Sequence, residues 1–282
     1  MLINNILKKL PVSVQSYQSV HGGDINESYC VVSDNKKLFL KLNNAGKFPE
    51  MFEKEKDGLN ALQKHYEGIV PNVIDTGITD NVQFLLMDWI ENAVPQKDFC
   101  QQFGTALANM HKQPQDKFGW HTDNYIGSLV QKNTYCDTWA DFYAEMRIIP
   151  LSEQLFNERN FSKTDLTKAE NFCKQIANIF PEESASFLHG DLWSGNFMVA
   201  SNGYASVYDP AVYCGHREMD IGMTKLFGGF SNEFYTAYNE TYPLEHRWTD
   251  RLSYTQLYPL LVHALLFGGH YIQSVKSILR PF

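Results

Sequence analysis

His189-Gly190-Asp191-Leu192-Trp193-Ser194-Gly195-Asn196 is the stretch that decides how this chain is read. Its order is H-x-D-x-x-x-x-N. The Asp191 carboxylate can accept the proton of a substrate hydroxyl. Five residues on, the side-chain carbonyl of Asn196 can face a metal held on phosphates, and the intervening loop lets both point into one cleft. Further along, Tyr208-Asp209-Pro210 ends the extended run Ala205 to Tyr208 with a second carboxylate. Hard oxygen donors of this kind suit magnesium, which takes few carboxylates and keeps phosphate and water. Alone, each of these residues is an ordinary turn former or strand-end cap. In this order, around the hairpin Phe197-Met198-Val199, Ser201-Asn202-Gly203 and Ala205 to Tyr208, they have the spacing of a kinase catalytic loop and its metal ligands.

Toward the N-terminus, Val14 to Val20, Tyr29 to Val32 and Leu38 to Leu42 read as strands separated by turn-rich segments. Leu38-Phe39-Leu40-Lys41 places a lysine late in an apolar strand. A helix beginning near Pro49 carries the apolar stripe Phe52, Leu59 and Leu62, and Glu55 lies inside that stripe. A lone carboxylate there is costly, so Lys41 is its expected partner, in a pair that would hold the lysine against ATP phosphates. Gly22-Gly23-Asp24 sits between two strands, where a phosphate-covering turn belongs, and reads equally well as a simple hairpin turn. Extended runs follow around Val73 and at Phe84 to Met87, and Met87-Asp88-Trp89-Ile90 is the candidate connector for adenine.

Beyond that connector the periodicity turns helical, over Phe99 to His111, Thr138 to Ile149, Asp165 to Phe180 and most of the chain after Ser231. The expected organisation is a β-rich ATP-binding lobe over residues 1–90 and a helical catalytic and substrate lobe over residues 91–282, with ATP in a cleft between them. Asp220 is placed to brace the catalytic loop by accepting backbone hydrogen bonds. His189 reads as structural, and Trp193 reads equally as a flat apolar face for a sugar or as core packing. Only ten residues separate Asp209 from Asp220, which leaves no room for a peptide-docking activation segment. A small acceptor is therefore favoured.

Composition narrows the partners. The 282 residues are 44% hydrophobic and 14% aromatic, a globular balance, and the net charge of -8 with scattered Lys and Arg disfavours nucleic acid. Five cysteines, far apart and never in a C-x-x-C pair, argue against zinc and disulfides and for a reducing compartment. The start MLINNILKKLP lacks a signal-peptide core, and Leu257 to Phe267 is too short for a membrane span and is interrupted by Pro259 and His263. A cytoplasmic protein without a membrane partner is expected.

LHGDLWSGN (Leu188 to Asn196), YDPA (Tyr208 to Ala211) and GHREMDIGMTKLFGGF (Gly215 to Phe230) together resemble the fructosamine kinases, or ketosamine-3-kinases. MFEKE (Met51 to Glu55), KFGWHTDNYIG (Lys117 to Gly127) and Trp139 to Phe142 follow the same family order, so the resemblance covers nearly the whole chain. It implies an α+β, two-lobed, protein-kinase-like fold and phosphorylation, with ATP and Mg2+, of the 3-hydroxyl of a ketosamine, either a small molecule or a glycated protein lysine, in protein deglycation. It also implies Asp191 as base, Asn196 and Asp209 as magnesium ligands, and Lys41 with Glu55 as the phosphate anchor. Some members carry a regulatory cysteine in the glycine turn; here Asp24 stands in that region. The alternatives are a kinase for another amine-bearing compound, aminoglycoside-like or choline-like, and a nucleotide-binding pseudokinase. The intact set of Lys41, Asp191, Asn196 and Asp209 speaks against the last.

Overall fold

The structure is a computed structural model and describes residues 2–20 and 25–282. A short helix, α1 (Leu2–Leu7), precedes strands β1 (Val14–Val20), β2 (Glu27–Ser33) and β3 (Lys36–Asn44). After α2 (Met51–His65) come β4 (Val73–Thr79) and β5 (Val82–Asp88). The five strands make one antiparallel sheet in the order β1-β2-β3-β5-β4. Asp34-Asn35 and Asp80-Asn81 close its two tight hairpins, all four with positive φ. Two left-handed residues in succession are what a two-residue hairpin turn with the right twist requires, and Asp and Asn adopt that conformation most readily after Gly.

Side chains alternate across a strand, which sorts β3 into two faces. Leu38, Leu40 and Leu42 point into an apolar core with Val31, Val82, Phe84 and Leu86, closed by Ile6 and Leu10 from the N-terminal segment. Phe39, Lys41 and Asn43 therefore share the opposite face, where α2 packs. Gln83 of β5, paired with Asn43, accepts from the Phe52 amide at 3.5 Å and donates to the Phe48 carbonyl at 2.5 Å.

Next come α3 (Phe99–His111), the short strands β6 (Pro114–Gln115), β7 (Asn124–Ile126) and β8 (Leu129–Gln131), and α4 (Trp139–Phe142). The helix continues through a π-helical segment, Tyr143–Ile148, into α5 (Ile149–Asn157). Then follow α6 (Lys163–Cys173), α7 (Ile176–Ile179), β9 (Ala185–Leu188), β10 (Phe197–Val199), β11 (Ala205–Val207) and β12 (Tyr213–Gly215). The chain ends with α8 (Glu218–Leu226), α9 (Asn232–Thr241), a 3-10 turn (Trp248–Arg251), α10 (Leu252–Thr255), α11 (Leu257–Phe267) and α12 (His270–Leu279).

These elements form two compact units, Met1–Phe99 with Phe197–Pro210, and Cys100–Asn196 with Ala211–Phe282. The β10–β11 hairpin joins the first unit through backbone hydrogen bonds. Ile69 donates to Ala205 at 3.1 Å, Val207 donates to Ile69 at 2.9 Å, and Ala93 donates to Val199 at 2.9 Å. The second unit is mainly helical, with the small sheet β12-β9-β6 and the β7–β8 hairpin.

Several elements differ from the sequence reading. Phe187 and Leu188, for which the sequence reading gave no strand, end strand β9, which pairs with β12. Both strands are short and wholly buried, so neither shows the alternation that marks a strand. The helical periodicity over Asp165 to Phe180 is carried by two helices, separated at Lys174 and Gln175. Pro259, read as an interruption, sits in the first turn of an unbroken α11, where a missing N–H costs no helical bond. Among the described residues, no helix is long and apolar enough to cross a membrane.

Within the second unit α3 and α9 touch backbone to side-chain position: a Cβ on Gly104 would lie 2.2 Å from the Phe234 carbonyl oxygen. Gly104→Ala should therefore lower stability by about 1–3 kcal/mol, although Ala is the better helix former. Urea unfolding is the measurement, and a midpoint equal to or above that of the parent chain would refute this close approach.

Candidate active site

In the first unit, Lys41 is buried to 4% exposure. Its Nζ donates to Glu55 Oε1 of α2 at 2.7 Å and also to Asp209 Oδ1, just past β11. The expected partner is there, and a second carboxylate with it. Asp209 holds a positive φ of 54°, a left-handed conformation in a residue type that tolerates it, and its side chain remains 41% exposed. Burial lowers the pKa of a lysine, but the Asp209 and Glu55 carboxylates outweigh it and hold Lys41 above its ordinary value. Burial pushes the Glu55 carboxyl up to about 7; Lys41 pulls it down and Asp209 pushes it up again. With both carboxyls ionised, two negative charges face one ammonium, and the burial of Glu55 favours its protonated form.

On the same face of the sheet as Lys41, Phe39 lies 5.9 Å from Trp89, ring centre to ring centre. Met87 is buried, while Asp88, Trp89 and Ile90 are half-buried. Asp88 is tied down by Asn72, whose carbonyl accepts from the Asp88 amide at 2.9 Å and whose Nδ2 donates to the Asp88 carboxylate at 2.6 Å. Gly22 and Gly23 lie outside the described residues.

In the second unit, the end of β9 runs into the loop that carries Asp191. Asn196 Nδ2 donates to the Asp191 carbonyl at 2.8 Å and to Asp191 Oδ2 at 2.9 Å. Asp220, in the first turn of α8, accepts from the His189 amide at 2.8 Å and the Gly190 amide at 2.9 Å. Burial raises the Asp220 pKa, but the bond from His111 and the loop amides pull it below the ordinary carboxylate value. His189 is buried, and its Nδ1 accepts from the Asp191 amide at 3.3 Å. Gly190 has φ +82°, and a Cβ there would stand 2.0 Å from the Ala211 carbonyl oxygen, so the turn needs glycine. Trp193 is half-buried, its ring lying over Gly195, whose added Cβ would come within 2.3 Å of it.

The structure thus gathers Lys41, Glu55 and Asp209 in one unit, and His189, Asp191, Trp193, Asn196 and Asp220 in the other. Asn196, in the second unit, and Asp209, in the first, each carry a hard oxygen donor of the kind magnesium takes.

Sequence reasoning missed the residues that support the second set. His111, the last residue of α3, links Asp220 (3.1 Å) to the Tyr238 hydroxyl (2.8 Å). Gln131 donates to the Ala211 carbonyl at 3.0 Å and Asn124 to the Val212 carbonyl at 2.8 Å, just after the Asp209-Pro210 pair. Arg147, fully buried, donates to Asn133 Oδ1 at 2.7 Å and to the Lys132 carbonyl. Its guanidinium carbon stands 4.6, 4.3 and 5.1 Å from the ring centres of Phe142, Tyr213 and Tyr258. Only the segment Lys117 to Gly127 drew attention in the sequence; a single arginine in a helical run carries no signal.

Glu55 gives a pH prediction. Its pKa rises on folding from 4.5 to about 7, so the folded chain binds more protons than the unfolded chain in that window. Stability contributed by this group is therefore lost as pH rises through it. Compared with Glu55→Gln, the ligand-free parent chain should lose relative stability between those two values in urea titrations. A pH-independent difference would contradict the cluster. In a double-mutant cycle, Lys41→Met and Glu55→Ala should miss additivity by about 0.5–3 kcal/mol.

Comparison with known proteins bears on the whole chain. The fructosamine kinase family model matches residues 3–282. A probable ketoamine kinase from Enterococcus faecium is 38% identical over 268 residues, 93% of this chain and 94% of that protein. A crystal structure from Thermobifida fusca with a fructosamine-3-kinase designation has a TM-score of 0.87 at 32% identity, covering 98% of this chain and 96% of its own. An aminoglycoside phosphotransferase in complex with AMP-PNP and hygromycin B has a TM-score of 0.64 at 14% identity, covering 98% and 97%, a likeness of fold alone. The α+β, protein-kinase-like fold expected from the catalytic-loop spacing is the fold of this chain. With one family spanning it almost end to end, the protein belongs to the fructosamine kinases, kinase-fold enzymes that transfer phosphate from ATP.

Proposed function

We propose that the protein phosphorylates the 3-hydroxyl of ketosamines, fructosamine or ribulosamine, free or on glycated protein lysines, and so serves deglycation in the cytoplasm. The observation that carries phosphoryl transfer is the Lys41–Glu55–Asp209 cluster. A buried ammonium held between two carboxylates is costly as a purely structural device, and it suits a site that receives phosphate and metal. Family membership and the LWSGN form of the loop support the ketosamine as acceptor.

In this reading residues 1–90 form the nucleotide-binding lobe and residues 91–282 the catalytic and substrate lobe. Lys41, positioned by Glu55, meets the α- and β-phosphates, and Met87 to Ile90 meet the adenine. Asn196 and Asp209 hold magnesium, which when bound offsets the charge of the triphosphate. Asp191 accepts the proton of the 3-hydroxyl as that oxygen bonds to the γ-phosphorus and ADP departs. The Asn196 amide on the Asp191 carboxylate keeps it turned for this task, and Asp220 fixes the loop beneath it. Trp193 faces the sugar. Most of the rate enhancement then comes from positioning and electrostatics.

Two experiments test the reading. In a panel of fructose-lysine, ribulose-lysine, kanamycin-type compounds and choline, followed by ADP release, the ketosamines should lead in kcat/KM by at least about tenfold. Asp191→Ala should then lower kcat by roughly 10²–10⁴ with ATP affinity little changed. Equal turnover of aminoglycosides would overturn the acceptor, and near-normal turnover by a folded Asp191→Ala would overturn the base.

The metal assignment has its own readout. Asp209→Asn and Asn196→Ala should each raise the magnesium concentration needed for half-maximal rate by about tenfold or more, as expected when a ligand or its close support is lost. An unchanged magnesium dependence in both would place the ligands elsewhere.

A further inference from the structure

Beside the catalytic loop a run of rings leads from Trp193 across the second unit, and beyond Trp193 the proposed chemistry uses none of them. Trp193 meets Phe227 edge-on at 5.8 Å between ring centres, and Phe227 meets His263 at 5.0 Å. His263 in turn lies 5.5 Å from Phe267 and 5.0 Å from Tyr271. The rings come from three separate places: the catalytic loop, the end of α8, and the junction of α11 with α12. Large apolar rings are ordinarily hidden. Here Phe227 is 37% and Phe267 58% exposed, while Trp193, His263 and Tyr271 are half-buried. The run is a shelf at the surface of the unit.

Two glycines fasten this shelf to the loop that holds the candidate base. Gly229, at φ +95°, lies so close to Ser194 that an added Cβ would stand 2.5 Å from the Ser194 Cβ. Gly195 makes room for the Trp193 ring in the same way. The shelf thus begins at a residue two positions from Asp191 and leads away from it.

Its chemistry suits the amine side of a ketosamine. The faces of aromatic rings are negative and attract cations and the polarised CH groups beside them, while their area takes up alkyl chain. His263 Nδ1 lies 2.7 Å from the Pro259 carbonyl. Burial holds the imidazole below its ordinary value, against the pull of that carbonyl, so at neutral pH it does not repel a cation. Lys225, two residues before Phe227, has its ammonium 3.4 Å from the ring centre of Tyr235. The net charge of -8 adds a long-range attraction for a cationic acceptor.

We infer that Phe227, His263, Phe267 and Tyr271 form a subsite for the substituent on the substrate nitrogen, selecting ketosamines whose amine bears a chain, such as a glycated lysine, over those of small amines. The inference rests on the ketosamine reading and adds a specificity element to it: Trp193 takes the sugar, and the shelf takes what the sugar is attached to.

The test uses the full chain with ATP, magnesium and two fructosamines of equal charge, the methylamine and the hexylamine adducts. The hexylamine adduct should show a kcat/KM about tenfold higher, expressed in KM, since added methylenes in a partly open apolar site are worth about this much. Phe227→Ala and Phe267→Ala should each bring that ratio toward one. Phe227→Leu, which keeps apolar bulk and loses the ring face, should retain part of it and guards against a misfolded alanine variant. A parent-chain ratio near one, or a ratio unchanged in both alanine variants, overturns the shelf while the ketosamine reading stands. Failure to turn over either adduct overturns both.

Discussion

A single ammonium group, that of Lys41, sets the terms for the first unit. A charge sealed under a sheet must be answered where it lies, because the cost of leaving it alone is several kcal/mol. That requirement explains why an apolar helix stripe is interrupted by Glu55. It also explains why residues 197–210, remote in sequence, fold back onto the sheet-bearing unit and bring Asp209 with them. With both carboxyls ionised the cluster holds more negative charge than Lys41 answers, and it is then electrostatically incomplete. A bare polyanion would be poorly received there, whereas one that arrives with a divalent cation would correct the imbalance.

The second unit solves a different problem. A loop between two strands has backbone amides and carbonyls with no ladder to satisfy them. Asp220 takes two of the amides, and the side chains of Gln131 and Asn124 take the carbonyls of Ala211 and Val212. The loop that carries Asp191 and the segment that follows Asp209 are thus held by polar side chains anchored in a helix and a hairpin. This lets Asp191 sit half-buried on a backbone that cannot relax around it.

Most of the fold was legible because its elements carry strong periodic signals. The β3 alternation, the α2 stripe and the β10–β11 hairpin flanking a Ser-Asn-Gly turn all emerged with nearly the right bounds. The contact of Glu55 with Lys41 was legible because a charge in an apolar stripe demands a partner, and residue type and spacing singled out Asp191 and Asn196, which the fold brings into hydrogen-bond contact. What escaped was of two kinds. Strands β9 and β12 are too short and too completely buried to show a period. The supporting residues His111, Asn124, Gln131 and Arg147 act through contacts between segments far apart in sequence, and nothing local distinguishes them from ordinary polar residues. The second carboxylate on Lys41 belongs with these, since only the folded chain shows that Asp209 reaches it.

The π-helical segment at Tyr143–Ile148 has a consequence for how this chain can vary. A π-turn is an α-helix carrying one residue more than its geometry needs, and every residue beyond it is rotated by about 100° relative to a regular helix. Arg147 reaches its cage of three rings from within that surplus turn. Length and register are therefore coupled here: losing one residue from this segment would restore a regular helix and swing the guanidinium out of its cage. Point substitutions leave the register intact, so this stretch tolerates changes of letter far better than changes of length.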